Sequence, residues 1–425
     1  MTIKQFAQPY RLVAIGLISV LISLLHWFNF PVFSASQPAQ IERFNQVWET
    51  INENFFDPAF NGVDWNAMRD RYAPLVSQAN SSDETATLIN QMLSELQTSH
   101  TRFYTPDEPE YYQILGIFAP RSSEFREELA EFFPEDPIEY TDIGIVTTAI
   151  NGETFIRAIL DGSPAAESGL QVGDRILSVE NQPFHPFYSF EGKANQPVTV
   201  QIQRSADPAS QQTIEVTPKQ FDVTTMYLDA QAASIDVMER NGKKIGYIHI
   251  WSYAGDQYQQ LLEEELLYGR LSEADGLVLD LREGWGGAPP TALNIYTARG
   301  PSITSILRDG RQFTRYPYWN KPVVMLVNDR SRSAKEILAY GFQQYGIGQV
   351  VGETTAGAVV AGRPFLMRDG SVLYVAVTDV YVDGNERLEG VGVTPDVVVP
   401  FPVEYAQGAD PQKERAIEVV LEQVQ

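Results

Sequence analysis

Ser333, His100 and the glycine pair Gly286 and Gly287 are the residues whose types and surroundings suit acyl transfer. Ser333 stands where the apolar run Pro322 to Val327 has stopped at Asn328-Asp329 and a helical pattern starts at Ala334, with Ile337, Leu338, Phe342 and Tyr345 at helical spacing. A serine at that entrance has two readings. It is an N-cap whose hydroxyl accepts a first-turn N–H, or a nucleophile whose oxyanion forms beside the N–H groups and dipole of a helix N-terminus. Gly286 and Gly287 lie in Glu283-Gly284-Trp285-Gly286-Gly287, after a run ending Asp280-Leu281-Arg282. These glycines make a plain turn, or they let backbone N–H groups approach an oxyanion with no side chain between. Their spacing has neither the dinucleotide nor the P-loop pattern. His100 sits between hydroxyl residues in Thr98-Ser99-His100-Thr101, as a surface residue or an oriented base. Of the other histidines, His26 falls in the leader, His185 near Pro183 and Pro186 is predicted in an exposed loop, and His249 is predicted half-buried in a strand.

Length and composition bound what these residues can belong to. A chain of 425 residues exceeds one ordinary core, so two or three domains are expected, and 44% hydrophobic residues suffice to fill them. A formal net charge of −24 disfavours nucleic acid and anionic lipid, leaving peptides and small molecules as partners. Cysteine is absent, which removes disulfides, thiolate nucleophiles, cysteine-based zinc sites and lipoprotein acylation. No cofactor and no metal site is expected.

Four stretches follow in order. Residues 1–36 have the form of a signal peptide or signal anchor: Lys4 and Arg11 precede the apolar run Leu12 to Leu25, and small residues surround Ser34-Ala35-Ser36. If uncleaved, 12–28 makes a marginal membrane anchor. Either form sends the rest to the periplasmic, lumenal or extracellular side of a membrane. Residues 40–110 are predicted as a helical region, with Phe44, Val47, Trp48 and Ile51 on one face and a third helix from Thr85 to Leu96 that delivers the His100 segment. Residues 111–225 carry short alternating runs and turns. Within them Ser163 caps a short helix from Pro164, Gly169 stops it, and a Gly-Asp turn starts a strand. Residues 226–425 alternate unbroken apolar runs, such as Ile245 to Ile250 and Leu277 to Leu281, with helical segments, as in an α/β sheet covered on both faces.

The string from Gly162-Ser163-Pro164-Ala165-Ala166 to Gly173-Asp174-Arg175-Ile176 resembles a PDZ domain. Such domains add an extended peptide to a sheet edge and hold its terminal carboxylate in a backbone nest. The resemblance puts that nest at Ile143, Gly144 and Ile145. A second possibility is a PDZ-like fold that serves only as a lid.

The PDZ signature, DLREGWGG, VNDRSRSAKEI, VVGETTAGA, LEGVGVTPD and the terminal GADPQKERAIEVVL together resemble, in that order, the carboxyl-terminal processing (tail-specific) serine proteases. The resemblance implies an α/β fold: a ClpP/crotonase-like core of strand-strand-helix units, a helical N-terminal region and an inserted PDZ domain. It implies Ser333 as nucleophile. The lysine that usually serves as base falls at Ala358, so the usual dyad is missing. Lys335, two positions along the helix, points away from Ser333 and is predicted solvated. The pattern is closer to the tricorn-like branch, which implies His100 as base, Ser99 and Glu389 holding its ring, and N–H groups of Gly286 or Gly287 and Ala334 as oxyanion donors. The implied activity is that of a serine endopeptidase on protein or peptide substrates recognised by a free C-terminus. The rising limb of its pH profile is then expected around neutrality, absent strong burial of the histidine. A catalytically silent PDZ-containing peptide binder is the alternative. An acyl-CoA enzyme of crotonase type fits poorly with export.

Overall fold

The computed structural model describes residues 37–134 and 137–424; the expected leader and anchor at 1–36 lie outside them. Among the described residues no helix is long and apolar enough to cross a membrane. Three helices open the described residues, Gln37–Asn54, Trp65–Val76 and Ser82–Ser94. Asp64 and Ser81 cap the second and third, accepting the N–H groups of Ala67 and Glu84. Their apolar faces meet as the periodicity predicts: Phe44, Val47, Ile51, Ile89, Met92 and Leu96 are buried together. Trp48 and Trp65 stack with centroids 6.5 Å apart. Each indole donates to the other's carbonyl, at 2.9 and 3.2 Å.

This bundle packs on a three-stranded antiparallel sheet whose members come from opposite ends of the chain. Arg102–Tyr104 pairs with Val372–Thr378, which pairs with Ala361–Leu366. The turn between bundle and sheet holds Gln97 and His100 at positive φ.

The PDZ sheet has five antiparallel strands in the order Ile145–Ile150, Glu153–Ile159, Arg175–Val179, Val198–Gln203, Gln211–Val216. Ser163 caps the helix Pro164–Ser168, and Gly169 ends it at φ 89°, as the motif predicts. A two-stranded ribbon, Glu139–Asp142 with Lys219–Asp222, ties both ends of the domain together.

The last region is built on a six-stranded sheet in the order Val397–Val398, Val350–Gly352, Val323–Val327, Gly276–Asp280, Lys243–His249, Asp236–Arg240. All neighbours are parallel except the antiparallel edge Asp236–Arg240. That edge, its neighbour and the helix Asp256–Leu267 form a strand-strand-helix unit. Every residue of Gly276–Asp280 and Val323–Val327 is buried, because helices cover both faces. Val278, Val324 and Leu326 pack on the terminal helix Pro411–Gln423, and Leu277, Met325 and Val327 on the side of Ala334–Gln344.

Candidate active site

The strand Val323–Val327 ends in a turn that is pinned on three sides. Asn328 N–H donates to the Ser331 hydroxyl at 3.0 Å, Ser331 N–H to the Asn328 carbonyl at 2.9 Å, and the Ser331 hydroxyl to the Leu281 carbonyl at 2.9 Å. Ser333 emerges at φ 59° and ψ −133°, a region strained for an L-residue. Backbone bonds hold it there: its N–H donates to the Ala358 carbonyl at 2.7 Å, and its carbonyl accepts Glu336 N–H at 2.9 Å. The first turn is thus closed through the carbonyl, and Ser333 and Glu336 face each other as a capping box, so the N-cap geometry and a nucleophile position coincide at this residue.

Glu336 completes the support and was missed in the sequence. It is fully buried and also accepts Ser333 N–H at 3.2 Å, Ala358 N–H at 2.7 Å and Gly357 N–H at 2.7 Å. The Thr355 hydroxyl is its fourth donor, at 2.5 Å. Burial raises its pKa, and these hydrogen bonds oppose the rise. The Ser-x-x-Glu spacing of 333 to 336 is the signal that could have found it.

Gly286 lies directly against the serine. A Cβ there would fall 2.5 Å from Ser333 Cβ, so no other residue fits without displacement. Gly284, at φ 64°, faces the Trp251 carbonyl more closely still, at 1.9 Å from where a Cβ would fall. Among the described residues no hydrogen bond engages the N–H groups of Gly286, Gly287 or Ala334. The loop is held from beneath by Lys335, and here one expectation is corrected. Lys335 is fully buried, not solvated, and among the described residues no hydrogen bond joins its ammonium to Ser333. Its ammonium donates to the carbonyls of Glu283 at 2.7 Å and Trp251 at 3.2 Å. Burial pulls its pKa down to about 7, helped by Arg332 and opposed by Asp280 and Glu283.

Ser99, His100 and Glu389, which are 290 residues apart at the extremes, meet. Glu389 accepts Ser99 N–H at 2.8 Å, the Ser99 hydroxyl at 2.9 Å, and the N–H groups of Val359 and Val360 at 2.7 and 3.1 Å. The Ser99 hydroxyl lies 2.8 Å from His100 Nδ1. With its one proton given to Glu389, that hydroxyl must accept from Nδ1–H, which leaves Nε2 as the bare ring nitrogen. The ring packs 5.5 Å from Tyr374. Burial lowers its pKa to about 4, Arg332 adds to the fall and Glu389 opposes it. This departs from the neutral-pH limb expected for an ordinary histidine. Among the described residues no hydrogen bond joins His100 to the Ser333 hydroxyl; the two halves are tied through residues 357–360, which bond both Glu336 and Glu389.

Ile143 is buried, and Gly144, at φ 83°, and Ile145 line a cleft of about 330 Å³ that continues past Trp251 to Gly284, Trp285 and Arg332. Two donors of the expected nest face Asp142: Ile143 N–H donates to Asp142 Oδ1 at 2.7 Å, and Gly144 N–H also bonds the carboxyl. Asp142 is buried, which raises its pKa to about 7 against the hydrogen bonds from Ile143 and Gly144. A further contact crosses from the PDZ sheet. Arg157 donates to Glu283 Oε1 at 2.7 Å and also bonds Asp329, while Asn328 Nδ2 donates to the same Glu283 oxygen at 2.8 Å. His249 is buried, more so than predicted, with Nε2 3.0 Å from the Arg282 carbonyl; His185 is half-buried in its loop, Nδ1 accepting the N–H groups of Phe187 and Tyr188.

A PDZ domain inserted ahead of a largely parallel α/β sheet, whose strand-to-helix turn presents a serine against a glycine loop, is the architecture of a serine-type peptidase. Comparison with known proteins agrees. Residues 244–399 match peptidase family S41, residues 41–94 the tricorn protease C1 domain and residues 155–204 a PDZ domain. The chain is similar to the carboxyl-terminal-processing protease of Synechocystis sp., at 28% identity over 88% of this chain and 85% of that one. It is 26% identical to tricorn protease homolog 1 of Streptomyces coelicolor, over 89% of this chain but 35% of the relative. Two solved structures share its fold. The photosystem II D1 C-terminal processing protease has a TM-score of 0.50 and 20% identity, over 88% of this chain and 98% of that one. The tricorn protease has 0.53 and 18%, over 91% and 37%. Residues 244–399 thus carry the S41 peptidase pattern, and the chain as a whole is similar to carboxyl-terminal processing and tricorn proteases, as the sequence motifs had implied.

Proposed function

We propose that the protein is an exported endopeptidase that cleaves protein or peptide chains through an acyl-enzyme on Ser333, with His100 as general base. The observation that carries this reading is the Ser99 hydroxyl, which bridges Glu389 and His100 Nδ1 and leaves Nε2 unprotonated. In the reaction Nε2 takes the Ser333 proton as Oγ attacks the scissile carbonyl, then passes it to the leaving amine; water repeats the sequence to release the acyl group. Ser99 and Glu389 hold the imidazole and balance its transient positive charge. N–H groups of Gly286 or Gly287 and of Ala334 receive the oxyanion. The remaining step is closure of the His100 ring onto Ser333, and catalytic hydrogen bonds of this kind tighten when substrate binds.

Ala358 fits the same reading. Where a lysine dyad would place its base, this chain has a methyl side chain that cannot take a proton, while the main-chain carbonyl there accepts Ser333 N–H. Substrates enter by the cleft along Ile145–Ile150, a sheet edge open to an added strand, with a free C-terminus directed to Ile143, Gly144 and Ile145. Export rests on residues 1–36, and a retained 12–28 segment anchors the enzyme at the periplasmic, lumenal or extracellular face. Ser333→Ala should abolish cleavage of a quenched fluorescent peptide while leaving the circular dichroism spectrum unchanged. Undiminished cleavage by that variant would rule out the serine.

A further inference from the structure

The cleft of about 330 Å³ that joins the PDZ edge strand to the glycine loop is unevenly charged. Beside Ser333, the nucleophile loop contributes Arg330 and Arg332 to its wall. The Arg332 guanidinium is half-buried and lies 4.6 Å from the centre of the Trp285 ring. That ring is itself fixed, its Nε1 donating to Gln113 at 2.9 Å. Among the described residues Arg332 has no ion-pair partner, whereas two acidic residues of the cleft are already matched. Glu108 pairs with Arg102, and Glu283 with Arg157. Asp107, Glu110 and Asp142 remain, all carried by the segments preceding the PDZ sheet and none by the nucleophile loop.

A guanidinium held over an aromatic face keeps its charge and its N–H donors available in the cleft, and its fork of donors suits the two oxygens of a carboxylate. We propose that Arg332, held on Trp285, is a carboxylate-recognition subsite that selects peptides bearing an anionic group beside the bond presented to Ser333. The inference deepens the peptidase reading and rests on it for its catalytic consequence, though not for binding. Because the Arg332 charge also acts on His100, a substrate carboxylate that neutralises it makes His100 a better base, so an acidic substrate gains in kcat as well as in KM.

The carboxylate has two possible sources, an acidic side chain or the peptide's own C-terminus. Three otherwise identical peptides distinguish them: one with a central Glu and an amidated end, one with Gln and an amidated end, and one with Gln and a free end. Affinity is measured by fluorescence anisotropy on the full chain carrying Ser333→Ala, which binds without turnover. One carboxylate peptide, or both, should bind about tenfold more tightly than the neutral one, as for a partly desolvated charge-assisted pair. The gain that Arg332→Gln removes names the source, since a free end directed to Ile143, Gly144 and Ile145 gains there whatever stands at 332. Arg332→Lys should keep part of the removed gain, since charge remains without the forked donors. Equal affinity for all three peptides, or gains that Arg332→Gln leaves wholly unchanged in a folded variant, overturns the inference. Wild-type cleavage without preference fails this inference alone; preference without any cleavage fails the peptidase reading alone.

Discussion

Replacing Gly286 by alanine tests how closely the glycine loop must approach the nucleophile. Gly286 is not among the positive-φ residues, so the substitution adds a contact without adding backbone strain. The new Cβ would lie 2.5 Å from Ser333 Cβ, 2.8 Å from the Arg332 carbonyl oxygen and 3.1 Å from Ser333 Oγ. Carbon atoms settle at about 3.5–4.0 Å, so loop and serine must part by roughly 1 Å. A displacement of that size in a reacting array costs about 10²-fold in rate, and loss of one oxyanion donor about 10²–10³-fold. We expect Gly286→Ala to lower kcat/KM for a quenched fluorescent peptide by about 10²–10³-fold, with a stability cost of about 1–3 kcal/mol from overpacking. Peptide hydrolysis and urea denaturation on the same sample separate the two effects. A variant that folds cooperatively and keeps near wild-type kcat/KM would refute the close approach, and with it the assignment of oxyanion donors.

Three further outcomes are expected. With His100 depressed to about 4, the acid limb of kcat/KM should fall well below pH 6, activity dropping as pH descends through that value; a limb near 6.5 would show that the enclosure is not maintained in solution. Lys335→Met should destabilise the chain by about 1–3 kcal/mol in urea denaturation by leaving the Glu283 carbonyl unmatched, the Trp251 carbonyl keeping the Trp285 N–H. Because the folded pKa of Lys335, about 7, is below its unfolded value, the unfolded chain binds the extra proton between them. Wild-type stability should therefore rise relative to Lys335→Met as pH climbs from about 7 to 10, and parallel curves would contradict the burial. Asp142 is uncharged below its pKa of about 7, so affinity for peptides with free C-termini should decline as pH rises through that value; Asp142→Asn should remove the decline, and a pH-independent affinity in the wild type would count against a nest at Ile143.

The chain order of elements was legible because each carries a local signal. The helix Ala334–Gln344 and the cap-and-stop of Pro164–Ser168 match the sequence reading, since periodicity, Ser163 and Gly169 act within a few residues. Ser333, His100 and Gly286 stood out by type and neighbourhood, whereas Glu389 came only through the family resemblance. What the sequence left hidden is tertiary. Nothing local distinguishes Lys335 from a solvated lysine, because its burial depends on carbonyls of Glu283 and Trp251, 52 and 84 residues away. The same holds for Arg157, whose partner Glu283 is 126 residues distant. The depression of His100 escaped for a related reason: burial and the charge of Arg332 set it, and neither is visible in Ser99-His100.

The most direct test of the central claim is covalent labelling of Ser333 by a fluorophosphonate, followed over time and located by peptide mass spectrometry. Wild-type protein should carry one label, on Ser333; His100→Ala should label far more slowly, and Glu389→Gln at an intermediate rate. Labelling of His100→Ala at the wild-type rate, or a label on any other residue, would contradict the account.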